Sequence, residues 1–386
     1  MINRIIDISL NNRIVILLGV VLLVVAGIYS MLRLPVDAVP DLTNVQVQVL
    51  TTSPALGPVE MEQFVTFPVE TAMSGIPKVT EIRSVTRFGL SNVTVVFEEG
   101  TDIYWARQLV GERLTQARAE IPSDIGVPTM GPIATGMGEI YQFEVRAKEG
   151  YDYSLQDLRT ILDWNVAFQL RGVPGVIEVN TFGGELKTYE VQIDPNAMLN
   201  YGIALQQVFD ALNRNNANAG GGYIQHYEEQ RLIRAEGLVE SLDDIANIVL
   251  DSREDGTPIL IRDIGEVQFA PLLRQGYVTR DGRGEAVVGI VMMLIGENSR
   301  VVVEDVKAEV AEIQKSLPEG VYIDPFYDRT ELVQRAVDTV VENVSGGAIL
   351  VIIMLFLLVG DWRAGLIVAS AIPLSALFTF MAMNYF

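Results

Sequence analysis

Only a few residues in this chain have side chains and spacing suited to chemistry. Thr135, Met137 and Glu139 fall in the run Ala134-Thr-Gly-Met-Gly-Glu139. A thioether suits soft monovalent copper, a carboxylate suits harder divalent ions, and the glycines free the backbone that carries both. The same run also reads as a plain turn entering a strand at 140–145, with Glu139 solvated. His226 is the only histidine, and Glu228 and Glu229 stand beside it. That is the composition of a metal site and equally of an exposed loop. Met292 and Met293 fall mid-strand, where one of the two packs into the core. Covalent catalysis has no candidate. Cysteine is absent, and one histidine with no identifiable serine partner makes no triad. Gly220, Gly221 and Gly222 follow an Asn-rich helix end rather than a strand, so they do not read as a phosphate cradle. No cofactor is expected.

These residues must be positioned by a body held between apolar runs. Residues 14–32, 344–360 and 364–386 carry no charge apart from flanking groups. About 17–25 apolar residues suffice to cross ~30 Å of hydrocarbon as a helix. The first run exceeds a signal-peptide core and no small-x-small cleavage site follows it, so it reads as an uncleaved span. Residues 1–13 place Ile2, Ile5 and Ile6 on one helical face, as a helix lying at the cytoplasmic interface does. Arg4, Arg13 and Arg363 set the orientation, with Arg33 opposing it. The intervening body is then placed outside the cytoplasm. Net charge is −21, and all of the excess lies in that body, which disfavours nucleic acid and favours cations near its surface. The missing cysteines exclude a disulfide framework and thiolate metal sites. The body holds about 310 residues, enough for two or three units.

The body contains an echo. Gly75-Ile-Pro-Lys-Val-Thr-Glu-Ile82 resembles Gly172-Val-Pro-Gly-Val-Ile-Glu-Val179. Each Gly-x-Pro turn ends a helix and feeds an alternating strand. Ser154 and Asp157 have capping-box spacing, and Asp102 and Asn298 read as N-caps. Two split βαβ units follow. The first occupies 42–135. The second is divided into 136–181 and 275–330 by an insert at 182–274. That insert is expected to hold a strand near 189–194, a helix near 204–212, the 220–222 glycine loop and a hairpin-like 223–235. The polar, Gly-rich excursion suits an interaction arm. None of the three apolar runs contains an ionisable group in its interior, so proton coupling has no carrier in this stretch.

Several motifs then resemble one family. They are Leu34-Pro-Val-Asp-Ala-Val-Pro-Asp-Leu-Thr43, Arg87-Phe-Gly-Leu-Ser91, Thr101-Asp-Ile-Tyr104, Ala106-Arg-Gln-Leu109, Asn216-Ala-Asn-Ala-Gly-Gly-Gly222 and Tyr327-Asp-Arg329. Together with the layout they resemble the N-terminal part of resistance-nodulation-division efflux pumps, in the heavy-metal branch. Gly138-Glu139-Ile-Tyr-Gln142 is similar to the cobalt–zinc–cadmium type more than the copper–silver type. The resemblance implies a membrane α-helical part with three spans, plus an α+β periplasmic region of two porter subdomains and a docking subdomain. It implies a homotrimer in the bacterial inner membrane, with a periplasmic membrane-fusion adaptor and an outer-membrane channel as partners. It also implies export of a heavy-metal cation by proton antiport, with no enzymatic step. Glu139 is then a metal contributor, with Met137 and Thr135 beside it on the substrate path. Gly220, Gly221, Gly222 and His226 belong to an arm reaching the neighbouring protomer. The family has about twelve spans, and the chain stops while still apolar, so it is expected to be a truncated product lacking the proton-relay acids. A multidrug pump and a membrane-anchored binding or adaptor module without transport are the other readings.

Overall fold

The computed structural model describes residues 12–33, 43–122, 125–227, 229–253, 255–274, 276–359 and 362–385. The interfacial helix expected at 1–13 and the 34–43 motif fall almost wholly outside these residues. Among the described residues, three helices are long and apolar enough to cross a membrane: Arg13–Arg33, Arg329–Val359 and Trp362–Tyr385. The second begins well before the apolar run at 344–360. It is one 31-residue helix whose first residue directly follows a strand. The first and third pack together where Gly27 has no side chain. A Cβ there would stand 2.7 Å from Leu377 Cβ, and small residues permit this kind of close approach between spans.

Between the first two helices lie two four-stranded antiparallel sheets. The first holds β1 (Gln46–Thr52), β2 (Val79–Arg87), β3 (Leu90–Phe97) and β4 (Thr129–Met130) in the order β2-β3-β1-β4. The second draws on strands from both sides of a long excursion: β5 (Glu139–Ala147) and β6 (Val176–Phe182) before it. The excursion contributes β7 (Lys187–Ile193), β8 (Ala219–His226), β9 (Glu229–Ala235), β10 (Val249–Ser252), β11 (Pro258–Leu260) and β12 (Gly265–Pro271), paired two by two. The chain then returns as β13 (Val287–Met293) and β14 (Val321–Asp328), giving the order β14-β5-β13-β6. Counted within each unit, both sheets share one strand order, 4-1-3-2.

Helices cover one face of each sheet because their apolar residues fall on one side. Ala106, Val110, Leu114 and Ala117 of helix Ile103–Glu120 pack into the first core. Val302, Val303, Val306 and Ile313 of helix Ser299–Ser316 pack into the second. Asp102 caps the first of these through Trp105 N, and Asn298 caps the second through Arg300 N and Val301 N. Gly57 and Ser154 each open a helix whose N3 acid, Glu60 or Asp157, bonds back to the cap backbone.

Both of those helices contain a π turn, at Glu62–Thr66 and Leu162–Val166. The cause is visible in the apolar spacing. Met61, Val65, Val69 and Met73 step strictly by four, as do Leu158, Leu162, Val166 and Leu170. Steps of four drift by about 40° each on an α-helix of 3.6 residues per turn. One wider i→i+5 turn removes most of that drift. All eight residues thereby stay on the buried face.

Gly220–Gly222 departs from the expected loop. The three glycines lie inside β8, and the register slips between Gly220 and Tyr223 where Gly222 takes φ +81°. A bulge of this kind tolerates glycine better than other residues.

Packing of the second sheet turns on Gly289 in β13, which faces Phe143 of β5. A Cβ at 289 would lie 2.4 Å from Phe143 Cζ, and Phe143 is fully buried. Gly289→Ala is therefore expected to destabilise the fold by about 1–3 kcal/mol through overpacking. Gly100→Ala, with open space but φ +77°, serves as a strained, unpacked comparison. Thermal melting of the two variants checks the order, Gly289→Ala being the lower.

Candidate functional site

The crossover from the first sheet to the second is held by guanidinium groups on backbone carbonyls. Arg118 donates twice to Pro128 O, at 3.0 and 2.7 Å, and Arg107 donates to Gly131 O at 2.7 Å. Gly131 N bonds Gln48 O at 2.8 Å, and Ile295 N bonds Ile133 O at 3.3 Å. Arg329 donates to Met137 O. A crossover with few ladder bonds of its own thus has its carbonyls satisfied by charged donors, which are stronger than neutral ones.

The turn that follows is Gly136–Gly138, a single 3-10 turn. Thr135 Oγ1 accepts from Met137 N at 3.2 Å, and Gly138 N bonds Thr135 O at 2.9 Å. The Thr135 hydroxyl therefore serves as the turn's own cap. Gly138 is buried, and a Cβ there would stand 3.1 Å from Met293 O, so glycine lets the turn press against β13. Glu139 is the first residue of β5, half-buried, and accepts from Gln142 Nε2 at 3.0 Å.

Register then brings in Glu178, which sequence reasoning missed, and sets it beside Met292. Met292 of β13 pairs with Glu139 on one side and Glu178 of β6 on the other. Directly opposed residues project to one face of a sheet. Gln142, which bonds Glu139, pairs with Ile290, and Ile290 pairs with Asn180. Glu139, Met292 and Glu178 thus form a row on the face away from the core helices. Met293 packs into the core instead. Adjacent strands lie about 4.8 Å apart, so the two glutamates start about 10 Å apart with the thioether between them. Among the described residues no group of three or more His, Cys, Asp and Glu assembles as a metal site. The row offers two carboxylates and one sulfur, and other ligands of a bound cation would come from water or from elsewhere. Glu178 had a signal in the sequence, since it lies in the repeated Gly-x-Pro echo. Its adjacency to Met292 needed the strand order.

Further along the same face a charged cluster closes the sheet. Arg280 pairs with Glu144 at 2.9 Å and Asp324 at 2.7 Å, and Arg146 approaches both, at 3.4 and 3.6 Å. A cavity of about 130 Å3 lies there, lined by Glu144, Arg146, Arg280 and Glu285 among others. Its charges are mutually neutralised, so the cluster pins the chain returning from the excursion.

The arm residues stand apart from this turn. Gly220, Gly221, Gly222 and His226 lie on the β8–β9 ribbon, whose described residues are exposed on both faces. The His226 ring meets Tyr227 edge-on at 4.6 Å and pairs in register with Glu229. Glu228 lies outside the described residues.

The AcrB/AcrD/AcrF family profile matches residues 5–386. The cation efflux system protein CzcA of Alcaligenes sp. (strain CT14) is 50% identical over 392 residues, covering 100% of this chain and 37% of that protein. The cobalt-zinc-cadmium resistance protein CzcA of Cupriavidus metallidurans is 50% identical over 392 residues with the same coverage. An X-ray crystal structure of a heavy metal efflux pump superimposes with a TM-score of 0.91 at 34% identity, over 99% of this chain and 38% of that one. The chain spans about 37% of the length of these curated relatives.

Below the turn, Asp328 ends β14. Burial pushes its carboxyl up, but Lys307 and the Thr330 hydroxyl and amide together hold it below the ordinary value. Tyr141, its register partner, is pushed up to about 12 by burial and by the Asp328 charge. A carboxyl lowered on folding contributes stability at and above its unfolded pKa and loses it as pH falls through the folded pKa. Stability of the chain is therefore expected to drop more steeply below about pH 4 than that of Asp328→Asn. Denaturant melts at stepped pH check this, the variant having the shallower slope.

Proposed function

The chain belongs to the AcrB/AcrD/AcrF family, and on that premise we propose that it is the N-terminal portion of an inner-membrane pump that exports heavy-metal cations by proton antiport. The observation that carries the reading is the Glu139–Met292–Glu178 row on the open face of the second sheet. Carboxylates and a thioether suit borderline divalent ions such as zinc, cobalt and cadmium. The two 4-1-3-2 sheets act as porter subdomains at 42–135 and at 136–181 with 275–330. The 182–274 insert acts as a docking subdomain. Transport proceeds by alternating access, as the open face of the second sheet is covered and uncovered.

The body faces the periplasm in this reading, because the arginines near the spans favour a cytoplasmic location for the connecting ends. Proton coupling in this reading is carried elsewhere than in the three apolar runs, since an intramembrane carboxylate is the ordinary carrier and those runs have none. The β8–β9 ribbon supports a homotrimer. A two-stranded ribbon exposed on both faces is marginal alone, and Tyr223, Ile224 and Leu232 on it are exposed. Insertion into a neighbouring protomer would cover them. A periplasmic adaptor and an outer-membrane channel complete the assembly. The similarity to cation efflux and cobalt-zinc-cadmium resistance proteins favours metals over drugs as cargo.

Glu139→Ala in the complete gene tests the reading. Cells carrying it are expected to lose zinc and cobalt tolerance roughly tenfold or more, the scale on which metal sites respond to lost partners. Unchanged tolerance to zinc, cobalt and copper at normal protein level removes Glu139 from the path.

A further inference from the structure

We propose that Arg329 is a positioning residue that sets the Thr135–Glu139 turn from the root of the Arg329–Val359 helix, so that movement of this helix is delivered to Glu139. The inference rests on the reading of Glu139 as part of the cation path.

Arg329 is the first residue of a helix whose far part is apolar enough for a membrane, and it is 5% exposed. A guanidinium stays charged at every accessible pH, and a buried charge persists only where partners compensate it. One partner is the carbonyl of Met137. That carbonyl belongs to the glycine-flanked turn that launches Glu139. At the same helix root, Asp328 is bound by Lys307 of helix Ser299–Ser316 and by Thr330. Residue 328 therefore fixes the root to the second sheet's own helix, while residue 329 fixes it to the turn.

Leverage follows from length. A helix of 31 residues at about 1.5 Å per residue is about 46 Å long, so a tilt of about 5° moves one end by about 4 Å relative to the other. Carboxylate–zinc bonds are held within a few tenths of an ångström of about 2.1 Å. A small part of that displacement, passed to Met137 and on to Glu139, is enough to make or break a ligand. Arg107 and Arg118 hold the other end of the crossover to the first unit, so the turn is loaded from one end and anchored at the other.

The test uses the complete gene product with a spin label at Gly136→Cys. The chain described has no cysteine, and a Cβ at 136 meets nothing within 4 Å. Zinc is titrated and the half-maximal spectral change is read, alongside label mobility and membrane abundance. Arg329→Met is expected to mobilise the label and raise half-saturating zinc roughly tenfold, the effect of losing a charge-assisted hydrogen bond. Arg329→Lys, which keeps one charged donor, recovers part of both. A residue that only stabilises the helix junction would lower abundance and leave half-saturating zinc unchanged. Unchanged mobility and zinc dependence in Arg329→Met, with Glu139→Ala losing the zinc response, overturns the proposal. If Arg329→Met does not accumulate, an immobile label with ordinary zinc dependence in Arg329→Lys overturns it. A zinc response that survives Glu139→Ala overturns the reading of Glu139 itself, and the role of Arg329 with it.

Discussion

After the 182–274 excursion the chain must return as β13 and thread between β5 and β6, and its backbone hydrogen bonds decide where everything else goes. Antiparallel pairing on both sides fixes the register to single residues. A slip of one would turn every side chain to the opposite face. Val287 and Val291 would leave the core, and Gly289 would no longer make room for the Phe143 ring. Fully burying each such side chain is worth about 1.5–3 kcal/mol, so the register is strongly held. Closing the excursion opposes it only weakly, because each doubling of loop length adds about 0.6 kcal/mol. An insert with its own small cores, around Ile203 and Ile264 and around Ile245 and Ile261, is therefore tolerated there.

The same register produces the candidate site. With Val291 turned inward, Met292 points outward between Glu139 and Glu178. The bulges on either side of Met292 let the strand end where the Gly136–Gly138 turn presses against it. β14, on the far side of β5, ends at Asp328 and passes directly into the long helix. One sheet thus joins a cation-compatible row, the crossover from the first unit and the root of a membrane-length helix. The proposed transport reading needs these three features to be coupled, and Arg329 is the side chain that touches two of them.

What was legible in the sequence was local. Apolar runs long enough to cross a membrane announce themselves by composition. Asp102, Ser154 and Asn298 announce helix starts, because a cap needs only a short polar side chain and the next three amides. The π turns were also written locally, in the strict four-residue spacing of Met61 to Met73 and of Leu158 to Leu170. A reading at period 3.6 passes over them. The apolar run at 344–360 marked only the far part of its helix, which begins at Arg329. Gly220–Gly222 looked like a loop because glycine disfavours strands; cross-strand pairing in the ribbon overrides that preference. Glu139 was visible by type and by its glycine setting. Glu178 and Met292 were individually unremarkable, and only pairing between strands more than a hundred residues apart in sequence makes them neighbours. The Arg329 contact with Met137 is legible only in three dimensions, since the Tyr327-Asp-Arg329 motif marks the arginine and says nothing of what it touches.

The central claim is that a divalent cation binds on the open face of the second sheet, at the row the β13 register creates. Anomalous X-ray diffraction at the zinc edge, from crystals of the complete protein grown with zinc, tests it most directly. The account predicts an anomalous peak within bonding distance of the Glu139 carboxylate, close to Met292 and Glu178. Well-ordered density for this sheet with zinc peaks only at other places would contradict it.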